Sequence, residues 1–275
     1  MPAKPAFDPE WLQALRASAV VQPLRPRVPL WAGQSVIGSV EPGLLNQKSL
    51  HDLLDALSEA GQLLKEEHPL ELGWRLLGDV TISLNLLARA LHGTGLAGEW
   101  RNEQLAVHDQ FDHLKGTVER TAVRPLGIAT AAVHLAGQTP DGRHWVQQRS
   151  HKKSNDPGQW DTLMGGMVSS LDTVETALER ETWEEAGLKM VTLQNLSHGG
   201  RVLTRRPSPD GNGTGYVIED IDWYRCTVPE GVVPVNQDGE VEQFRLMGAT
   251  ELAAALQRGE FTTEAALILV EILAA

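Results

Sequence analysis

The chain has 275 residues, enough to bury a substantial core in one large or two ordinary domains. Lysine and arginine number 24 against 36 aspartates and glutamates, and the net charge of −12 argues against a nucleic-acid backbone or an anionic membrane as partner. The single cysteine, Cys226, excludes an intramolecular disulfide and a cysteine-cluster metal site. No apolar run reaches the roughly 18 residues of a membrane span. The opening residues MPAKPAFDPEW lack an apolar core. The expectation is therefore a cytoplasmic protein with no membrane partner. An acidic chain can still handle phosphates if divalent cations stand between the negative charges.

Asp8-Pro9-Glu10 reads as a helix start, with an aspartate cap and proline in the first turn, and the helix is expected to run to about Ser18. Residues 22–34 are proline-rich and read as extended or looped, and 35–40 as a short strand stopped by Pro42-Gly43. Ser49 is expected to cap a helix carrying Leu50, Leu53, Leu54, Leu57, Leu63 and Leu64 at helical spacing. A second helical pattern spans about 70–91 and ends in His92-Gly93-Thr94-Gly95. This half holds no repeat and no catalytic motif, and reads as a small α+β domain over 1–120.

From Val123 onward short strand-like runs appear at 128–135, 144–148, 162–168, 215–227 and 241–247. The longest loops between them are expected at 205–215 (RRPSPDGNGTG) and 229–239. One helix is expected at 171–186, and two more at 249–258 and 263–273 close the chain. Strands mixed with a few helices suggest a mixed sheet sandwiched by helices over 121–275. Eight of the aromatic residues are tryptophan. Most read as packing, and one or two as a surface for stacking on a flat ligand ring.

The chemistry is concentrated in GGMVSSLDTVETALERETWEEAGL, residues 165–188. Ser169 and Asp172 have the spacing of a capping box, and Gly187 of a helix stop. Glu181, Glu184 and Glu185 fall at i, i+3 and i+4, so they share a helix face. They also sit at the negative end of the helix dipole, where each acid costs on the order of 0.3–1 kcal/mol. A merely soluble helix would carry its acids at the other end. Three such carboxylates suit one or two hard divalent cations. Arg180 is placed to steady one of them. Val174, Leu178 and Leu171 are expected to pack on the sheet, and the Thr182 hydroxyl to bond back to the Leu178 carbonyl.

The pattern G-x5-E-x7-R-E-U-x-E-E-x-G-U, with U aliphatic, is the Nudix box, and this stretch resembles it. Gly166 is followed after five residues by Asp172, and after seven more by Arg180-Glu181-Thr182-Trp183-Glu184-Glu185-Ala186-Gly187-Leu188. Asp172 stands for glutamate and Thr182 for an aliphatic residue. The C-terminal segment 238–273 also resembles Nudix C-termini. The resemblance implies a Nudix α/β/α sandwich with a mixed sheet. It also implies a Mg2+- or Mn2+-dependent hydrolase of a small-molecule diphosphate, with metal at Glu181, Glu184 and Glu185 and catalysis by Glu181, Arg180 and Glu184. The proton acceptor is Glu181 or a glutamate outside the box: Glu240, Glu242 or Glu219. Arg149, Lys152 and Lys153 are candidates for gripping the distal phosphate, and solvated loop charge is the other reading. His134 reads as a core residue or a ligand contact, and Gly166 lies beside the substrate. Oligomeric state is left open, with a homodimer among the options.

A narrower resemblance rests on Trp100-Arg101-Asn102-Glu103, Glu119-Arg120, Gly127-Ile128, Val133-His134-Leu135, Arg149-Ser150, Lys152-Lys153, Pro157-Gly158 and Asp161, which precede the box in this order. It is similar to the Nudix subfamily fused to fungal thiamine pyrophosphokinases. That implies cleavage of thiamine diphosphate, or its oxidised analogues, to the monophosphate, with Trp160 or Trp145 stacking on the ring. Hydrolysis of nucleotide sugars or other nucleoside diphosphate derivatives, and a catalytically silent binding module, are the alternatives. The stretch RSHKKSNDPGQW also resembles isopentenyl-diphosphate isomerases. Those carry a cysteine immediately before the box glycine, where this chain has Gly165.

Overall fold

The Asp8 carboxylate accepts from the Trp11 backbone N–H, and Pro9 opens helix α1 (Pro9–Ala19), as the sequence predicts. The structure, a computed structural model, describes residues 5–57, 64–67, 72–153 and 155–274. Strands β1 (Val28–Ala32) and β2 (Ser35–Val40) follow as an antiparallel pair, then α2 (Lys48–Leu57). β3 (Leu64–Glu67) and β4 (Gly73–Leu76) pair antiparallel, and α3 (Val80–Gly93) comes next. β1 also pairs with β4 in parallel, giving a sheet of order β2-β1-β4-β3.

Two helical expectations are corrected here. Ser49 lies inside α2, which stops at Leu57, and Leu64 enters β3. Leu63 lies outside the described residues, as does Leu70. The second helix is shorter than the 70–91 pattern: it starts behind Asp79, whose carboxylate accepts from the Ile82 N–H. Upstream, Trp74 and Leu76 are buried and Arg75 between them is half-buried. That is the two-residue period of a strand, which the same apolar residues satisfy as readily as a helical one.

The hairpin of β5 (Gln104–His108) and β6 (Leu114–Glu119) leads into a 3-10 turn at Arg120–Ala122. Leu30, Leu50, Leu84, Leu105, Leu126 and Ile128 join one core with Met167 from far downstream.

The remaining strands are β7 (Thr130–Gln138), β8 (His144–Arg149), β9 (Trp160–Asp161) and β10 (Met164–Met167), followed by α4 (Val174–Ala186). Then come β11 (Gln194–Ser208), the single turn α5 (Asp210–Gly213), β12 (Gly215–Thr227), β13 (Val241–Met247), α6 (Ala249–Gln257) and α7 (Thr263–Ala274). Among the described residues the strands form a sheet of order β11-β12-β7-β8-β13, with β10 on β7 and β9 on β8. β12 and β7 run parallel, whereas β7 and β8 run antiparallel, so the sheet is mixed.

The loop expected at 205–215 is mostly strand: pairing continues from Arg205–Ile218 to Ser208–Gly215. Pro207 is tolerated because β11 ends the sheet and its outer side needs no partner. α4 packs Ala177 and Leu178 against Val133 and Leu135. A separate core joins Val146 and Met247 to Leu252 and Leu256 of α6, Leu269 of α7 and Phe261. The α+β class and the α/β/α sandwich about a mixed sheet therefore hold. No helix among the described residues is long and apolar enough to cross a membrane.

α1 packs against α7, and Trp11, Leu12 and Leu15 reach the core of the C-terminal helices. Trp11 also stacks on Phe7 with ring centroids 5.5 Å apart. Replacing Trp11 with alanine is expected to cost about 2 kcal/mol, read as a lower midpoint in urea unfolding. An unchanged midpoint would mean that α1 does not contribute to that core.

Candidate functional site

β10 pairs with β7 so that Gly165 lies opposite His134 and Gly166 opposite Val133. The chain then crosses residues 168–173 into α4. The cap of α4 differs from the expected Ser169–Asp172 box. Thr173 accepts from the Thr176 N–H at 3.2 Å, and the Thr176 hydroxyl accepts from the Thr173 N–H at 2.8 Å. Leu171 therefore precedes the helix and is exposed rather than packed, while Leu178 packs as expected. The Thr182 hydroxyl is buried with no hydrogen-bond partner among the described residues, so the bond to Leu178 is not made. Gly187 ends the helix in the left-handed region, with φ 63°.

Freed from capping, Asp172 serves Arg180. The guanidinium donates from Nε to Asp172 at 2.9 Å and from Nη1 to both Glu181 and Glu184, each at 2.9 Å. Nη2 reaches the Met167 carbonyl at 3.3 Å. Burial opposes this charge, but Glu181, Asp172 and Glu184 outweigh it and hold Arg180 above its ordinary range. Arg180 thus ties two box glutamates to the loop, where one was expected.

Glu185 is 2% exposed and turns toward the strands. Its Oε2 accepts from Gln147 Nε2 at 2.7 Å and from the Gly165 N–H at 3.0 Å, and its Oε1 lies 3.5 Å from Lys153 Nζ. Lys153 also pairs with Glu240. Burial pushes the Glu185 carboxyl up against the effect of Lys153. Burial, then the neighbouring Glu185 charge, pushes Glu181 up to about 7. Glu181 also closes on the loop: a Cβ on Gly166 would lie 2.1 Å from Glu181 Cδ, so any side chain there would push the carboxylate from its place.

These groups line a cavity of about 240 Å3 together with His134, Arg149 and Glu240. His134 is 6% exposed and hydrogen-bonds the Thr162 hydroxyl at 2.9 Å through Nδ1. That hydroxyl donates to the Met164 carbonyl, which makes Nδ1 the donor. Asp161 lies 3.4 Å from His134 Nδ1 and 3.4 Å from Arg149 Nη1.

Glu219 also lines the cavity, whereas Glu242 and Lys152 are exposed and do not. Neither Trp160 nor Trp145 lines it. Trp160 packs on the core of α6 and α7, and Trp145 on the core beneath α4. The sequence reading missed Glu103, Arg120, Arg124, Arg206 and Glu264, all of which line the cavity. Glu103 and Arg120 fall within the stretches that carry the narrower resemblance, which implies no chemistry for either. Arg206 and Glu264 are joined at 2.8 Å across 58 residues, a pairing no local spacing signals.

Among the described residues no three of His, Cys, Asp and Glu are gathered to hold a metal as they stand. The donor set nevertheless suits one. Glu181 and Glu185 are buried, repel each other and are only partly neutralised by Arg180 and Lys153. Such oxygens match a hard divalent cation.

A family model described as NUDIX domain matches residues 126–266. The chain belongs to the Nudix family. It is similar to an uncharacterized protein of Saccharomyces cerevisiae, 31% identical over 66% of this chain and 56% of that protein. It is also similar to two Arabidopsis thaliana proteins named Nudix hydrolase 24 and Nudix hydrolase 20, both chloroplastic. The first is 30% identical over 63% of this chain and 47% of the relative. The second is 29% identical over 66% and 49%. The chain spans about half the length of these relatives.

The Nudix box glutamates carry a consequence for pH. The Glu181 carboxyl, ordinarily near 4.5, is raised to about 7 in the fold. The folded state therefore holds a proton that the unfolded state has released between these values. Its contribution to stability is largest below the unfolded pKa and is lost as pH rises through about 7. Without divalent cations the protein is expected to melt higher at pH 6 than at pH 8. Glu181→Gln is expected to raise Tm at pH 8 and flatten the dependence. A Tm that falls in this variant at pH 8 would contradict the assignment.

Proposed function

We propose that this Nudix chain hydrolyses a diphosphate linkage with Mg2+ or Mn2+ held by Glu181, Glu184 and Glu185. The observation that carries this reading is the buried pair Glu181 and Glu185, left with excess negative charge on one cavity wall. The reaction is attack of water on phosphorus, with cleavage of the bridging P–O bond and release of two phosphorylated products. A bound divalent cation supplies Lewis acidity that neutralises the diphosphate as charge develops. Arg180 fixes Glu181 and Glu184 on the loop at the cavity wall. Glu181, whose Oε1 is taken by Arg180, is the proton acceptor from the attacking water through Oε2. Glu240, paired with Lys153, and Glu219 are the carboxylates outside the box that line the cavity and are the further candidates for that role. Lys153 and Arg149 grip the phosphate, and His134 with Gly166 shapes the floor.

For the substrate we propose thiamine diphosphate or its oxidised analogues, cut between the phosphorus atoms to the monophosphate and inorganic phosphate. The support is the resemblance that runs from Trp100 to Asp161. With Trp160 and Trp145 outside the cavity, a ring cation falls to carboxylates. Glu219 is the nearest fit: among the described residues its carboxylate is hydrogen-bonded only to the Thr130 hydroxyl, at 3.4 Å. Nucleotide sugars are the second reading, favoured by polar lining groups such as Asn155 and Thr262 that suit hydroxyls. We also propose that residues 1–120 and 121–275 are two units that share this cavity.

Glu184→Gln and Glu185→Gln are each expected to lower kcat by roughly two orders of magnitude or more, with folding intact in a thermal melt. Near-normal turnover in both would remove the assignment. Oxythiamine diphosphate is expected to exceed ADP-ribose in kcat/KM. If ADP-ribose leads by more than about tenfold, roughly 1.4 kcal/mol in transition-state binding, the thiamine reading fails and diphosphate hydrolysis stands.

A further inference from the structure

Arg120 precedes the stretch of the chain that matches the family, yet it lines the same cavity as the α4 carboxylates. It also borders two adjoining cavities of about 70 and 340 Å3, so it stands where all three meet. Its position is fixed twice by one residue. The Arg120 backbone N–H donates to the Glu103 carbonyl at 2.9 Å, and Nη1 donates to Glu103 Oε2 at 2.7 Å. The Glu103 segment is itself tied to the loop before α4, because the Ser170 N–H donates to the Gln104 carbonyl at 2.7 Å. Among the described residues Glu103 is the only hydrogen-bond partner of this guanidinium. The rest of its donor fork is uncommitted, and Glu240 and Glu181 both act on its charge.

We propose that Arg120, oriented by Glu103, is an anion subsite that binds a phosphoryl group of the substrate. A planar guanidinium with one edge anchored and the other directed to a cavity suits two-point contact with phosphate oxygens. Its place beside the carboxylates then determines which substrates fit: a ligand must carry a phosphoryl group that spans from the α4 acids to Arg120. The N-terminal part of the chain thereby completes the site, through the hairpin that carries both Glu103 and Arg120. This inference rests on the diphosphate-hydrolase reading.

The test compares Arg120→Ala, Arg120→Lys and Glu185→Gln with Arg143→Ala, which removes an equal charge outside the cavity. Turnover is measured with thiamine diphosphate and ADP-ribose, and binding of inorganic pyrophosphate by calorimetry without metal. Arg120→Ala is expected to raise KM and weaken pyrophosphate binding about tenfold or more, with kcat changed less. Arg120→Lys recovers part of the loss, and Arg143→Ala changes neither quantity. If Arg120→Ala proves unfolded in a thermal melt, Arg120→Lys carries the comparison and is expected to bind pyrophosphate more weakly than the parent. Parental KM and pyrophosphate affinity in a folded Arg120 variant, with Glu185→Gln inactive, overturn the subsite alone. Normal turnover in Glu185→Gln overturns the parent reading instead.

Discussion

The site is organised by repulsion between buried like charges. Glu181 and Glu185 lie on one face at the C-terminal end of α4, where the helix dipole is already negative, and both are buried. Fixed cations oppose this only in part: Arg180 spans Asp172, Glu181 and Glu184, and Lys153 spans Glu185 and Glu240. Burial is the larger cause of the upward push on both carboxyls, and neighbouring negative charge, Glu185 for Glu181 and Asp161 for Glu185, adds to it. Much of the surrounding structure serves to hold these charges together despite their cost.

Backbone placement supplies the hold. Pairing of β10 with β7 sets Gly165 so that its N–H reaches Glu185, and the bare Cα of Gly166 lets the Glu181 carboxylate lie against the loop. Gln147 reaches Glu185 from the neighbouring strand, while its carbonyl oxygen stays buried without a partner among the described residues. Across the rest of the cavity, arginines are held by carboxylates: Arg149 by Asp161, Arg206 by Glu264, Arg124 by Asp210 and Arg120 by Glu103. A site with both signs preorganised in this way can meet a metal with one set and a phosphate with the other.

The box helix was legible because its signals are local: acids at i, i+3 and i+4 and a stop glycine. The C-terminal helices and strands β12 and β13 were legible for the same reason. What failed was what depends on distant partners. The strands β3 and β4 carry leucine and tryptophan residues that fit either period, and the pairing of β4 with β1 and of β3 with β4 decides between them. The end of β11 from Arg205 to Ser208, with its proline, reads as loop; it is strand because β12 lies alongside it. The Thr173 cap replaced the Ser169 box because Asp172 is recruited eight residues on by Arg180. The tryptophans expected at the ligand were claimed by the packed cores instead. Arg120, Arg124 and Arg206 were invisible as site residues because their carboxylate partners lie 17 to 86 residues away in sequence.

The central claim is that the α4 carboxylates form a divalent-cation site, and direct binding of Mn2+ tests it. A calorimetric titration of the metal-free protein at pH 7.5 is predicted to show saturable, stoichiometric binding that releases protons, because a carboxyl near 7 must give up its proton to bind metal. Binding heat that is absent, or that persists unchanged when Glu181 and Glu185 are both replaced by glutamine, would contradict the account.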